Sequence, residues 1–158
     1  MLYVIVFFAV VIVDQLTKAL IEMNNVHVTV IKDVFSIDIT RNPGAAFSML
    51  GDKPWGQTFF IVLTVIALIA VVVFFILEKK NSKWLNLSIT FLASGAVGNF
   101  IDRLAFKEVR DFIYVHFFAN FNVADIAVTV GGIMFVVYFL FIDKEAIFKG
   151  NKGNKNDK

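Results

Sequence analysis

Apolar residues fall into four long blocks along this chain, and the stretches between them change character. Residues 2–13 are almost wholly apolar, and the helical pattern runs on past Asp14, Gln15, Thr17 and Lys18, which predicts a first membrane span over about 2–21. The block starts without a basic segment, which argues against a cleaved signal peptide. Residues 59–77 contain no charge and predict a second span. Trp84, a residue type favoured at membrane interfaces, opens a third span over 84–101, and 126–142 forms a fourth. Between the first two spans the period changes to two. Val26, Val28 and Val30 alternate with His27 and Thr29, and Phe35, Ile37 and Ile39 alternate with Ser36, Asp38 and Thr40. That pattern predicts two short strands turning near Lys32 and Asp33, within a β element over about 26–50 that rests on the membrane surface. RNPGAAFSML follows at 41–50, with a Pro43-Gly44 turn signal. Residues 105–120 are mixed polar and aromatic, and read as a surface connection with a short interfacial helix or strand.

Composition makes the membrane assignment firm. Of 158 residues, 58% are hydrophobic and 18% charged, where soluble domains lie near about 45–50% apolar. The expected fold is an all-α membrane protein, a four-transmembrane-helix bundle with a small extracytoplasmic β-sheet in its first loop. Residues 1–148 form a single membrane domain, and the polar tail KGNKGNKNDK at 149–158 is expected to be disordered and cytoplasmic. A net charge of +2 is too small to imply a nucleic-acid partner, and without Cys there is no thiolate nucleophile or disulfide.

Charge placement orients the bundle. Lys79, Lys80 and Lys83 crowd the second connection, and Lys144, Lys149, Lys152, Lys155 and Lys158 line the tail, so both are expected in the cytoplasm together with the N-terminus. Asp14, Asn99, Asp102 and Asp125 then share one depth near the outer leaflet, within reach of Asn42, Arg103, Asp111 and Asn122. Ionisable residues inside a membrane are costly and mark functional sites by default. Asp14 and Lys18, four apart, read either as an intrahelical ion pair or as support for a polar pocket. Asn99, Asp102 and Arg103 form one polar stripe, with Asp102 expected to pair with its neighbour Arg103. Ser94 and Gly98 have the small-xxx-small spacing of close helix packing, and Gly131-Gly132 is a second candidate for it.

His27 and His116 lack metal-ligand spacing, and Ser48, Ser88 and Ser94 lack a nucleophile elbow, so no metal or cofactor is expected. Carboxylates remain. Two that approach closely cannot both ionise cheaply and share a proton; one then activates water while the other protonates or polarises the bond being broken. Besides Asp14, the candidates are Asp102, Asp111 and Asp125, and spacing does not choose among them. A small ion- or proton-coupled transporter is the alternative class, since membrane Asp, Asn and Arg serve there too.

Five short blocks carry a resemblance: DQLTK from Asp14, RNPGAAFS from Arg41, GNFIDR from Gly98, VRDF from Val109 and FNVAD from Phe121. In this order and with four spans, the chain resembles the lipoprotein signal peptidases (signal peptidase II), bacterial intramembrane aspartic proteases. The resemblance implies a catalytic pair at Asp111 and Asp125, with Asp14, Lys18, Asn42, Gly44, Asn99, Asp102, Arg103 and Asn122 shaping the pocket. It implies diacylglyceryl-modified prolipoprotein substrates cut before the lipidated Cys in the bacterial cell membrane, contact with membrane lipid, and inhibition by globomycin-type compounds. For Arg110, beside Asp111, three readings stand open: it binds lipid phosphate, substrate or neither.

Overall fold

In a computed structural model, the described residues are 1–44, 53, 55–77 and 82–143. They form α1 (Leu2–Met23), β1 (His27–Ile31), β2 (Phe35–Asn42), α2 (Gly56–Leu77), α3 (Lys83–Phe106), β3 (Val109–Val115) and α4 (Val123–Val137), which continues as a π-helical stretch, Tyr138–Ile142. The four helical rods, Leu2–Met23, Gly56–Leu77, Lys83–Phe106 and Val123–Ile142, are each long and apolar enough to cross a membrane. Hydrocarbon offers no hydrogen bonds to the backbone, so helices that satisfy their own ladder are the expected solution.

The bundle buries a set of polar groups beside an apolar cluster around Leu85, Ile89 and Tyr138, and turns apolar side chains outward. Asp14, Lys18, Ser88, Ser94 and Asp102 are 0% exposed, while Ile5, Phe8, Ile66, Val72, Ile133 and Leu140 face outward. The central helix is α3, packed against α1, α2 and α4. Its approach to α4 depends on missing side chains. A Cβ on Gly95 would lie 2.3 Å from the Ala124 carbonyl oxygen, and one on Gly98 would lie 3.0 Å from Ala124 Cβ and 2.8 Å from Asp14 Oδ2 of α1. Gly95 and Gly98 thus both take part in the close packing around α3, beside the fully buried Ser94. On α4 it is Gly131, not Gly132, that meets the facing helix, close to the Ser88 carbonyl. Trp84 sends its indole N–H to the Met134 carbonyl at 2.8 Å, close to where α4 widens into the π turn.

The strands extend the expected picture. β1 and β2 form the anticipated antiparallel hairpin, turning at Asp33 with φ 58°. The third connection supplies β3, so the sheet has three strands in the order β1-β2-β3 rather than two. The α3–β3 link is only Lys107 and Glu108, with Lys107 left-handed at φ 62°. The tight link drops β3 directly onto the last turn of α3. Helix ends also move. α3 runs to Phe106 and α4 starts at Val123, beyond the apolar blocks, because Asp102, Arg103 and Asp125 find polar partners inside the bundle. Residues 45–50 of the expected β element and the 149–158 tail lie outside the described residues.

Candidate active site

Pairing between β2 and β3 decides which side chains meet. Ile37 faces Ile113 and Thr40 faces Asp111, so β2 advances three residues while β3 advances two. That extra residue is a β-bulge, a device that re-aims side chains. After it, Thr40 pairs with Asp111 and Asn42 with Val109, while Arg41 pairs with Arg110. Directly opposed residues share a face and neighbours alternate, so Thr40, Asn42, Val109 and Asp111 lie on one face and both arginines on the other.

Along the free edge of β3, the chain folds back. Phe121 accepts from the Phe112 and Ile113 N–H groups at 3.1 and 2.9 Å and donates its own N–H to the Ile113 carbonyl at 3.1 Å. This bridge delivers Asn122 beside Asp111 and starts α4. Asn122 is the N-cap: its side-chain oxygen accepts from Asp125 N at 3.0 Å, and Asp125 Oδ2 accepts from Asn122 N at 3.1 Å, a reciprocal capping box. Asp14 reaches across from α1 to accept from Ala124 N at 2.8 Å. The positive end of the α4 dipole thus faces two carboxylates.

Two asparagines connect the acids and a third holds Asp111. Asn122 Nδ2 donates to Asp111 Oδ1 at 2.7 Å and to Asn99 Oδ1 at 3.1 Å. Asn99 Nδ2 donates to Asp125 Oδ1 at 2.7 Å, and Asn42 Nδ2 donates to Asp111 Oδ2 at 3.0 Å. Lys18 Nζ donates to Asn99 Oδ1 at 3.2 Å, which leaves the Asn99 amide NH2 to face Asp125. Asp111 and Asp125 line one cavity of about 520 Å³ with Asn42, Gly44, Asn99 and Arg103. Arg103 donates to the Gly44 carbonyl at 3.2 Å and lies over the Phe60 ring at 5.1 Å. Burial, reinforced by the charge of Asp125, pushes the Asp111 carboxyl up to about 6 against the hydrogen bonds from Asn42 and Asn122 and the attraction of Lys18. Two acids held by amides in one largely apolar cavity are placed to take and give protons.

Behind this cavity lies a second polar layer. Lys18 pairs with Asp14 at 2.8 Å and Asp102 at 3.2 Å. Asp102 also accepts from Arg110 Nη2 at 2.8 Å and from Arg110 N at 2.9 Å. The expected Asp102–Arg103 pair is therefore corrected: adjacent helical residues diverge in direction, and Asp102 turns to Lys18 and Arg110 while Arg103 turns to the cavity. Arg110 is committed too. It bonds Glu22 at 3.1 Å and Gln15 Oε1 at 3.1 Å and lies 4.4 Å from the Phe106 ring centre. Its role is to tie β3 to α1 and α3, and its guanidinium is already occupied by protein groups. Arg41 bonds Glu22, and Glu108 at 2.7 Å.

All ten residues expected at the site are brought together in these two layers. Sequence reading passed over Gln15, which bonds Asp14 at 3.1 Å, Asp102 at 3.2 Å and the Gly98 carbonyl at 3.0 Å. It also passed over Glu22. Both were signalled by polar residues recurring every three or four positions on an otherwise apolar helix. Among the described residues, no group of three or more His, Asp or Glu gathers in a metal-ligating arrangement.

The whole fold recurs in solved proteins. A bacterial membrane enzyme determined by the in meso method at 2.3 Å resolution superposes with a TM-score of 0.79 at 36% identity, over 99% of this chain and 94% of that one. A second, at 1.9 Å, gives 0.77 at 37% identity over 88% and 92%. The fold thus places the chain in the class of multi-pass membrane enzymes. Residues 6–141 match the family model for Signal peptidase (SPase) II, and the chain belongs to that family. Lipoprotein signal peptidases of Clostridium tetani (strain Massachusetts / E88) and Clostridium novyi (strain NT) are similar. The first is 37% identical over 118 residues, covering 72% of this chain and 74% of that protein. The second is 36% identical over 138 residues, covering 82% and 91%. Family membership makes the chain a peptidase, a hydrolase of lipoprotein processing, and leaves the transporter alternative without support.

Proposed function

We propose that the chain is an intramembrane aspartic endopeptidase that removes the signal peptide from diacylglyceryl-modified prolipoproteins, cutting just before the lipidated Cys. The observation that carries this reading is the placement of Asp111 and Asp125. They come from separate elements, line one cavity, and are joined through Asn122 and Asn99. The remaining eight residues position or surround the pair: Asp14, Lys18, Asn42, Gly44, Asn99, Asp102, Arg103 and Asn122.

The pair carries one proton between its two carboxyls. The ionised carboxylate takes a proton from water as the oxygen attacks the scissile carbonyl carbon, and the protonated acid donates its proton to the carbonyl oxygen, giving a neutral gem-diol. Collapse re-forms the carbonyl, breaks the C–N bond, and moves a proton to the departing amine. The pair ends with the single proton it began with. Coupled groups titrate together, so these roles belong to the pair rather than to one named acid. The low-dielectric cavity strengthens each charge interaction.

Orientation follows from lysine placement: termini and the second connection in the cytoplasm, and the sheet and cavity at the outer leaflet of the bacterial cell membrane. A lipidated substrate then enters laterally from the bilayer, and globomycin-type inhibitors occupy the cavity. The test is cleavage of a diacylglyceryl-modified precursor by purified protein in lipid, with product masses read by mass spectrometry. A cut before the modified Cys, absent for the unmodified precursor and blocked by globomycin, is the expected result. A cut elsewhere, or equal cleavage without the lipid, overturns the substrate assignment.

A further inference from the structure

Asp111 stands where two cavities meet; Asn42, Phe118, Ala119 and Asn120 line both, and Thr40 and Arg41 line the smaller alone. The larger, about 520 Å³, runs along α4 past Ile126, Val128 and Val130, with Val109 of β3 also in its lining. The smaller, about 210 Å³, borders the end of β2 and is lined by Thr40, Arg41 and Asn42, by Asp111 of β3, and by Phe118, Ala119 and Asn120. An endopeptidase must accommodate its substrate chain on both sides of the bond it cuts. Here one side is apolar and borders the membrane-spanning α4, and the other is polar and borders the sheet. The polar side also holds idle hydrogen-bonding groups. Asn42 and Asn122 are engaged with Asp111, whereas among the described residues no hydrogen bond ties the Thr40 hydroxyl or the Asn120 amide. Arg41, by contrast, is paired with Glu22 and Glu108, so the small cavity offers amide and hydroxyl groups without an uncommitted charge.

We propose that this small polar cavity is the subsite for the first residues of the mature lipoprotein, those just after the lipidated Cys, and that it favours short uncharged polar side chains. The proposal rests on the endopeptidase reading above. In it, the signal-peptide half lies along α4, the bond crosses Asp111, and the chain leaves past the end of β2. Asn120 donates to and accepts from the substrate backbone, and the Thr40 hydroxyl meets the side chain. Acidic residues gain nothing, because Arg41 is already neutralised. Bulky apolar residues leave Asn120 and Thr40 unpaired in a filled cavity.

The experiment uses full-length protein in lipid and synthetic diacylglyceryl-modified precursors that differ only at the two positions after the Cys: Ser, Asn, Asp or Phe. Wild type is expected to cleave the Ser and Asn forms with kcat/KM about tenfold above the Phe form, and the Asp form no better than Ser. Asn120→Leu and Thr40→Val should each shrink the Ser-over-Phe ratio to about twofold. Responses to changes in the signal-peptide half should stay as in wild type. Wild type that cleaves all four forms equally overturns the subsite while the peptidase reading stands. So does a full preference retained in both variants, or an Asp form cleaved fastest. The wild-type series decides by itself if a variant does not fold. Failure of wild type to cleave any form would defeat the endopeptidase reading and the subsite with it.

Discussion

Replacing Asp102 with Asn tests the rear polar layer. The carboxylate is fully buried and accepts from Arg110 Nη2 at 2.8 Å, Arg110 N at 2.9 Å, Lys18 Nζ at 3.2 Å and Gln15 Nε2 at 3.2 Å. Breaking a buried ion pair by removing one partner costs about 3–5 kcal/mol. Lys18 retains Asp14 and Arg110 retains Glu22, so neither cation is stranded, and the lower end, about 3 kcal/mol, applies. For a chain of this size that corresponds to a Tm lowered by about 6–12 °C. Asp102 does not line the cavity that holds Asp111 and Asp125, so its loss acts through the position of β3 and should leave residual turnover, lowered about ten- to a hundredfold. Thermal unfolding in detergent, run beside single-turnover cleavage below the new Tm, measures both. A variant with unchanged Tm and no turnover would refute this reasoning and move Asp102 into the chemistry.

The raised Asp111 pKa has a stability consequence. Because it lies above the ordinary carboxyl value, 3.8 against about 6, the neutral form is favoured in the fold, and stability is lost as pH rises through that window. Asp111→Asn should abolish up to about 3 kcal/mol of that pH dependence between pH 4 and 6.5, read as Tm against pH; an unchanged profile contradicts the assignment. Gly95→Ala places a Cβ 2.3 Å from the Ala124 oxygen, and should cost about 1–3 kcal/mol and reduce turnover by displacing α4 with Asp125. Gly132→Ala, with nothing near its Cβ, should leave both Tm and turnover unchanged; equal damage from the two would show that α3–α4 packing is not what the glycine serves. A topology reporter after Lys83 should report cytoplasm and one between Asp33 and Asp38 the outside, and the reverse would put the cavity on the wrong face for an outer-leaflet substrate.

How much of this was readable beforehand varies by residue. The four helices were, because hydrocarbon permits few alternatives and apolar length is a direct signal. The first hairpin was readable from its alternation. β3 was readable only as one of two alternatives, a short interfacial helix or strand, since Val109, Arg110, Asp111 and Phe112 are all buried and give no period of two. The Asp102–Arg103 expectation failed because sequence adjacency was taken for spatial adjacency, whereas one helical step separates their directions by about 100°. Arg110 pairs with Gln15 and Glu22, far away in the chain, and local sequence carries no trace of that. Asp111 and Asp125 were singled out by the resemblance of whole blocks. Their spacing alone did not distinguish them from Asp102, and the bulge and the Phe121 bridge that bring them to one cavity have no sequence signature of their own.

The central claim is that Asp111 and Asp125 act as one proton-sharing unit. It is tested most directly by cleavage of a diacylglyceryl-modified precursor with wild type, Asp111→Asn, Asp125→Asn and the double variant, each first shown to be folded. Each single variant should lose turnover by at least about a thousandfold, and the double should be scarcely worse, because coupled catalytic groups are not additive. Turnover by either folded single variant within about tenfold of wild type, or losses that multiply in the double, would contradict the shared-proton mechanism.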